Sequence, residues 1–222
     1  MRTTLFMIRA LIFDFDGLII DTESAVYQAW QELYADHGHP LPIERWAQCV
    51  GTDFGAYDPK AELEMLTGKD FDWHEEERLR SKRVYDLLAD FDSLPGVREL
   101  LVEAKAAGVP CSIASSSPRV WIEPWLEKMN LRQYFVNISS RDVVERIKPA
   151  PDLFLHAAAQ LEVLPDEVVV FEDSLNGLRA AHAAGMKCVV VPGPVTKHLH
   201  FEGAWQTLDS LASISLAQLL QL

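Results

Sequence analysis

Positive charge is what this chain of 222 residues has too little of: 20 lysines and arginines stand against 33 aspartates and glutamates, a formal net charge of −13. That balance argues against nucleic acid or an anionic membrane as a partner. Cysteine is also scarce. Cys49, Cys111 and Cys188 are far apart, odd in number and form no CxxC pair, so the expectation is reduced, buried thiols in the cytoplasm rather than a disulfide framework. No apolar run is long enough to cross a membrane. The opening Met1–Arg9 imitates a signal peptide only briefly, because Arg9 interrupts its apolar run and no small-residue cleavage site follows. Met7 could serve as the start, leaving the first six residues as a frayed extension. HExxH, a P-loop and GxGxxG are all missing, so a nucleotide cofactor has no support in the text.

What is present is enough apolar material, 49% of residues, for a sizeable core. The length suits one large domain, or a core with a smaller companion. Ala10–Phe13 reads as a short buried strand that ends in Asp14 and Asp16, followed by Gly17, whose freedom of backbone angle suits a tight turn. On a strand, residues two apart share a face, so the two aspartates are expected to approach one site. Crowded carboxylates either raise a pKa or recruit a cation.

From about residue 20 to 90 the text is helical throughout. Apolar residues recur at helical spacing over Glu23–Tyr34, and further helices are expected up to about Cys49, over Lys60–Leu66 and over Glu75–Asp90. Beyond Leu94 strands and helices alternate. Strands are expected at Val109–Ala114, Val136–Ser139, Glu167–Phe171 and Lys187–Val191. Helices are expected at Val97–Ala107, after Pro118 (with Pro124 bending or breaking that helix early), at Pro151–Leu161 and at Leu175–Ala184. The tail, about Leu208 to Leu220, reads as a surface helix. This alternation implies an α/β core, a Rossmann-like parallel sheet with helices on both faces, whose strands all end along one ligand-binding edge. Residues 1–19 and 91–222 would form that core, and 20–90 a smaller all-helical domain inserted into it.

Four strand ends then offer polar groups to one crevice. They are Asp14 and Asp16; Ser115 and Ser116 before a helix whose free N–H groups favour an anion; Lys148 in Ile147-Lys-Pro-Ala-Pro-Asp152; and Glu172-Asp173-Ser174. Singly, each has an ordinary explanation as a helix cap, a solvated lysine or a complement to a helix dipole. Jointly, and in this order, they do not.

The segment Asp14-Phe-Asp-Gly-Leu-Ile-Ile-Asp-Thr-Glu23 and the three later motifs resemble those of the haloacid dehalogenase superfamily, in the branch of β-phosphoglucomutase and many small-molecule phosphatases. In this family a cap domain lies between the first and second motifs, where the helical insert sits. The resemblance implies Asp14 as nucleophile, forming an aspartyl-phosphate, and Asp16 as general acid and base. It implies one Mg²⁺ held by Asp14, the main-chain carbonyl of Asp16, and Asp173, with Glu172 in a direct or outer-shell role. Ser115 and Ser116 would hold the phosphoryl group, with Lys148 balancing charge beside Asp14. In the cap loop, Gly51, Phe54 and Tyr57 would meet the rest of the substrate. A phosphomutase is the nearest alternative, but that branch carries a histidine where this chain has Val26 and a cap-loop arginine near Phe54. A dehalogenase would need neither Asp16 nor the acidic pair, and a catalytically silent binding protein would usually have lost one of these groups. The expected partner is a small phosphorylated metabolite. The oligomeric state is open, a monomer included.

Overall fold

The computed structural model describes residues 8–46 and 57–221. Its frame is a six-stranded sheet in which every neighbouring pair is parallel, in the order β3-β2-β1-β4-β5-β6. The strands are β1 (Ala10–Phe13), β2 (Cys111–Ala114), β3 (Phe135–Ser139), β4 (Val168–Glu172), β5 (Lys187–Val190) and β6 (Gln206–Thr207). Strand order runs outward from β1 through β2 to β3, and on the other side from β4 through β5 to β6. The reversal falls between β1 and β4, the kind of place where open α/β sheets open a ligand crevice.

The strands are apolar on both faces because both are covered. Leu11, Phe13, Ile113, Val169, Phe171 and Val189 enter one core, with α5 (Val97–Ala107) and α6 (Arg119–Lys128); Ala10, Ile12, Val168, Val170 and Val190 enter the other, with α7 (Asp152–Gln160) and α8 (Leu175–Ala183). Phe13 stacks on Phe171 across the β1–β4 pair, with ring centroids 4.9 Å apart. The switch point is thus locked from beneath by the register that also aligns the two strand ends.

Between β1 and α5 lie α1 (Thr22–Asp36), α2 (Ile43–Trp46), α3 (Pro59–Thr67) and α4 (Trp73–Leu87), with no strand among the described residues of this stretch. Asp21, Asp58 and Asp72 cap α1, α3 and α4 through side-chain acceptors for free N–H groups. Trp30, Tyr34, Leu41, Trp46 and Leu63 form a core of their own, joined by Val195 from beyond β5. Ala25, Ala29, Val84 and Leu88 turn instead into the core beneath the sheet.

Two expectations need correction. The tail is no single surface helix. β6 extends the sheet edge, Leu211 sits in a 3₁₀ turn, and a short α9 (Leu216–Leu219) begins where Ser215 and Gln218 form a reciprocal capping box. Leu211, Leu216 and Leu219 are buried against the core. Serines at 210 and 215 restart the chain where the apolar spacing alone suggested continuity. The second correction concerns Pro124, which does not break α6: the helix continues to Lys128. Ile122, Trp125 and Leu126 are buried on its inner face, so tertiary packing overrides the local penalty. Pro124 itself is exposed. The carbonyl it leaves without an N–H donor belongs to Val120, a residue 79% exposed that water can reach. Pro124→Ala should therefore stabilise the protein by about 1–3 kcal/mol, roughly 3–10 °C in Tm for a chain of this size. An unchanged melting curve would mean that the proline carries no such penalty here.

Candidate active site

Both aspartates lie past the last residue of β1, so strand alternation does not orient them as expected; the turn does. Asp14 is anchored by its N–H to the Phe171 carbonyl of β4 at 2.9 Å. Its buried carboxylate meets Lys148 Nζ at 2.7 Å. Asp16 is turned to another set of donors. Its Oδ1 accepts from Thr22 Oγ1 at 2.8 Å and Trp121 Nε1 at 2.9 Å; its Oδ2 accepts from Ser117 Oγ at 2.7 Å and Ser115 Oγ at 3.3 Å. Both still line one cavity of about 580 Å³ between the strand ends and the helices α1 and α4.

Lys148 is nearly inaccessible and bridges two strand ends, with Nζ 2.5 Å from Glu172 Oε1 as well. The other oxygen of Glu172 accepts from the backbone N–H groups of Asp173 and Ser174 and from Ser174 Oγ, at 2.9–3.0 Å. Glu172 thus organises the start of α8 while holding the lysine. A Cβ at Gly177 would fall 1.7 Å from Glu172 Cδ, so only glycine leaves room for that carboxylate. Gly17 has a similar constraint: its φ is +77°, and a Cβ there would lie 2.2 Å from Asp173 Oδ2.

Carboxylate oxygens of Asp14, Glu172 and Asp173 all lie within 4.8 Å of one another. Three carboxylates and one ammonium leave an excess of two negative charges in a buried volume. Burial first, and then the charge of Glu172, push the Asp14 carboxyl well above its usual range; Lys148 opposes this without cancelling it. Asp173 is raised for the same leading causes, with Asp14 and Glu23 adding to them. Burial alone would lower Lys148, but Asp14 and Glu172 more than reverse this and hold it protonated. Such a donor set, hard oxygens with unbalanced negative charge, fits a small divalent cation.

The two serines separate. Ser115 Oγ is engaged internally, donating to Asp16 and accepting from the Ser117 N–H at 3.0 Å. Ser116 Oγ, on a residue lining the cavity, is buried without a hydrogen-bond partner among the described residues. The unspent hydroxyl is therefore that of Ser116. Tyr57 does not line the cavity: its hydroxyl meets Tyr34 Oη at 3.2 Å and the Glu62 carboxylate, and its ring packs against the insert's own core. Its expected role facing substrate is replaced by a packing role. Gly51 and Phe54 lie outside the described residues.

Several cavity-lining groups had no assignment from sequence. Thr22 and Glu23 stand within the first motif, and Ser117 ends the serine run, so a local signal was present for each. Glu23 is pushed up to about 8, by burial first and then by Asp16 and Asp14, which makes it a proton carrier at neutral pH. Trp121 had no such signal, because its link to Asp16 spans 105 residues.

A profile of haloacid dehalogenase-like hydrolases matches residues 11–191. The chain belongs to that family. YhcW of Bacillus subtilis, provisionally called a phosphatase, is 44% identical over 96% of this chain and 97% of its own. The fructose-1-phosphate phosphatase YqaB of Escherichia coli is 35% identical over 82% of this chain and 95% of its own. The crystal structure of CbbY from Rhodobacter sphaeroides in complex with phosphate superposes with a TM-score of 0.74, at 32% identity, over 97% of this chain and 100% of that one. Together these make the chain a phosphoric monoester hydrolase of the phosphatase branch.

The charge imbalance yields a stability prediction. Because Asp14 and Asp173 titrate above the usual 3.8 in the folded protein, the folded state binds more protons than the unfolded one over the window above that value. The cluster's contribution to stability then falls as pH rises. In chelator at pH 8, Asp173→Asn should be more stable than wild type by about 1–2 kcal/mol, and the gain should shrink toward pH 5. A loss of stability at pH 8 would show that the carboxylate is not under repulsion.

Proposed function

We propose that the protein is a Mg²⁺-dependent phosphatase that hydrolyses a small phosphomonoester through an aspartyl-phosphate on Asp14. The observation that carries this reading is the placement of Asp14: at the switch point of the sheet, 2.7 Å from a buried lysine, within a group of carboxylates, on the wall of a cavity. Asp14 would attack phosphorus as the bond to the leaving oxygen breaks. Asp16 would pass a proton to that oxygen and then take one from the water that attacks the phosphorus of the aspartyl-phosphate, as the bond to Asp14 breaks and inorganic phosphate leaves. Thr22 and Trp121 on Oδ1, and Ser117 on Oδ2, fix Asp16 for both steps. Ser116 Oγ is free to donate to the phosphoryl group, while Lys148 favours the ionised Asp14 that attack requires.

Asp14 and Asp173, with the main-chain carbonyl of Asp16, would hold the magnesium ion. Glu172, already occupied by Lys148 and three donors near Ser174, fits an outer-shell position better than direct ligation. When bound, the ion supplies the positive charge that lets a phosphate dianion approach a carboxylate. In this reading 20–90 is the cap and 1–19 with 91–222 the catalytic core, and the enzyme acts in the cytoplasm on a phosphorylated metabolite. The names of the relatives, fructose-1-phosphate phosphatase among them, favour a sugar phosphate. The phosphomutase alternative is weaker because Val26, at the position where that branch carries a histidine, lines the cavity with no group able to move a proton.

Asp14→Asn should lower turnover of p-nitrophenyl phosphate by about a thousandfold or more while keeping the fold, and chelator should abolish wild-type activity until Mg²⁺ is restored. Unchanged rates in excess chelator would refute the metal's role. Asp16→Asn should slow alkyl phosphates far more than aryl phosphates, whose leaving groups need less protonation. Equal losses would assign Asp16 to positioning alone.

A further inference from the structure

Of the charged groups on the cavity wall with no part in the phosphoryl-transfer steps, Glu23, Glu77, Arg80 and Arg141, the most telling is Arg80. Arg80 lies on α4 in the helical insert, whereas Asp14, Asp16, Ser116, Lys148 and Asp173 all sit at strand ends or in the turns that follow. Its side chain is only 10% exposed. The guanidinium carbon lies 3.9 Å from the centroid of the fully buried Trp30 ring, which holds the group in place. Its neighbours on the same helix are paired tightly: Arg78 with Glu75 at 2.6 Å, and Arg83 with Glu32 at 2.7 Å. Arg80 is not. Nη2 comes only to 3.6 Å from Glu77 Oε1, and Nη1 is buried with no hydrogen-bond partner among the described residues.

Glu77 does not balance it. That carboxylate is 55% exposed, and its other oxygen takes Lys60 Nζ at 3.0 Å. Lys60 and Arg80 therefore share Glu77, which sits closer to Lys60, and Glu76 acts on Arg80 only through its charge, so no carboxylate pairs tightly with the guanidinium. Guanidinium does not relieve this by losing its proton. A buried charged donor with an unmade hydrogen bond is costly to a fold unless a ligand completes it. The cavity, about 580 Å³, is larger than a phosphate group requires.

We infer that Arg80 is the subsite for a second anionic group on the substrate, a carboxylate or a second phosphate carried beyond the phosphoryl that is transferred. The inference rests on the phosphatase reading and narrows it to metabolites with two anionic ends. A planar fork of N–H donors suits either group of oxygens. Trp30 makes the fork rigid, so affinity is gained without ordering a long side chain at the moment of binding.

The test uses pairs of substrates that differ by one anionic group: fructose 1-phosphate against fructose 1,6-bisphosphate, and glycerol 3-phosphate against 3-phosphoglycerate. Wild type should favour the doubly anionic member of at least one pair in kcat/KM by about tenfold or more, and Arg80→Gln should remove most of that preference through KM, with Arg80→Lys restoring part of it. The pair that responds separates phosphate from carboxylate. The same pairs titrated calorimetrically into the Asp14→Asn protein read the preference without turnover, so the inference is tested even if the phosphatase reading fails. A wild type with no preference in either pair would overturn it. So would an Arg80→Gln protein that loses equally on both members of each pair. Failure of the wild type to hydrolyse p-nitrophenyl phosphate would count against the phosphatase reading alone.

Discussion

Lys148 between Asp14 and Glu172 is the contact on which the site depends. One ammonium, 2.7 Å from one carboxylate and 2.5 Å from the other, joins the end of β1 to the end of β4 across the switch point of the sheet. It is too little charge for its surroundings. With Asp173 included, three carboxylates share it, and burial keeps water from screening their repulsion. The folded chain holds a cluster that is electrostatically incomplete and ready for a cation. Its apolar support is what makes this tolerable: Phe13 stacked on Phe171, and both faces of the strands covered, keep the aspartates where the two strands end.

The cavity sets the carboxylate cluster of the strand ends opposite a largely buried arginine of the insert. The strand ends are negative until a metal binds, and α4 of the insert brings the Arg80 guanidinium to the cavity, with Glu77 of the same helix drawn toward Lys60 of α3. An overall net charge of −13 thus conceals local positive charge where an anionic substrate would need it. Between the walls, Trp121 links them physically. Its indole N–H holds Asp16, while its ring meets Tyr85 of α4 edge-on at 5.1 Å, and Tyr85 in turn stacks on Trp125.

The sheet and its order of motifs were legible because each signal is local. An apolar run ending in Asp14, a serine run before a helix, Lys148 in a proline-rich turn, and Glu172-Asp173 after four apolar residues can each be read within about ten residues, and the alternation of strands with helices does the rest. What resisted reading depends on distant partners. A tryptophan in an ordinary helix gives no hint that its N–H reaches Asp16, and an arginine on a charged helix such as α4 reads as solvated until Trp30 is seen to cover it. Ser115 and Ser116 are adjacent and alike in sequence, yet only the hydrogen bonds divide the internal hydroxyl from the unspent one. Pro124 and the tail failed for different reasons: burial of Ile122, Trp125 and Leu126 outweighed the local penalty of proline in α6, and the caps of Ser210 and Ser215 divide the tail where apolar spacing suggested one helix.

The most direct test of this charge account is the proton count on metal binding. Mg²⁺ titrated calorimetrically into the protein, in buffers of different ionisation enthalpy, reports how many protons leave as the ion enters. Because Asp14 and Asp173 are held above their usual range, the account predicts net proton release near neutral pH and an affinity that rises with pH. Binding with no proton release and no pH dependence, or no binding at all, would contradict it.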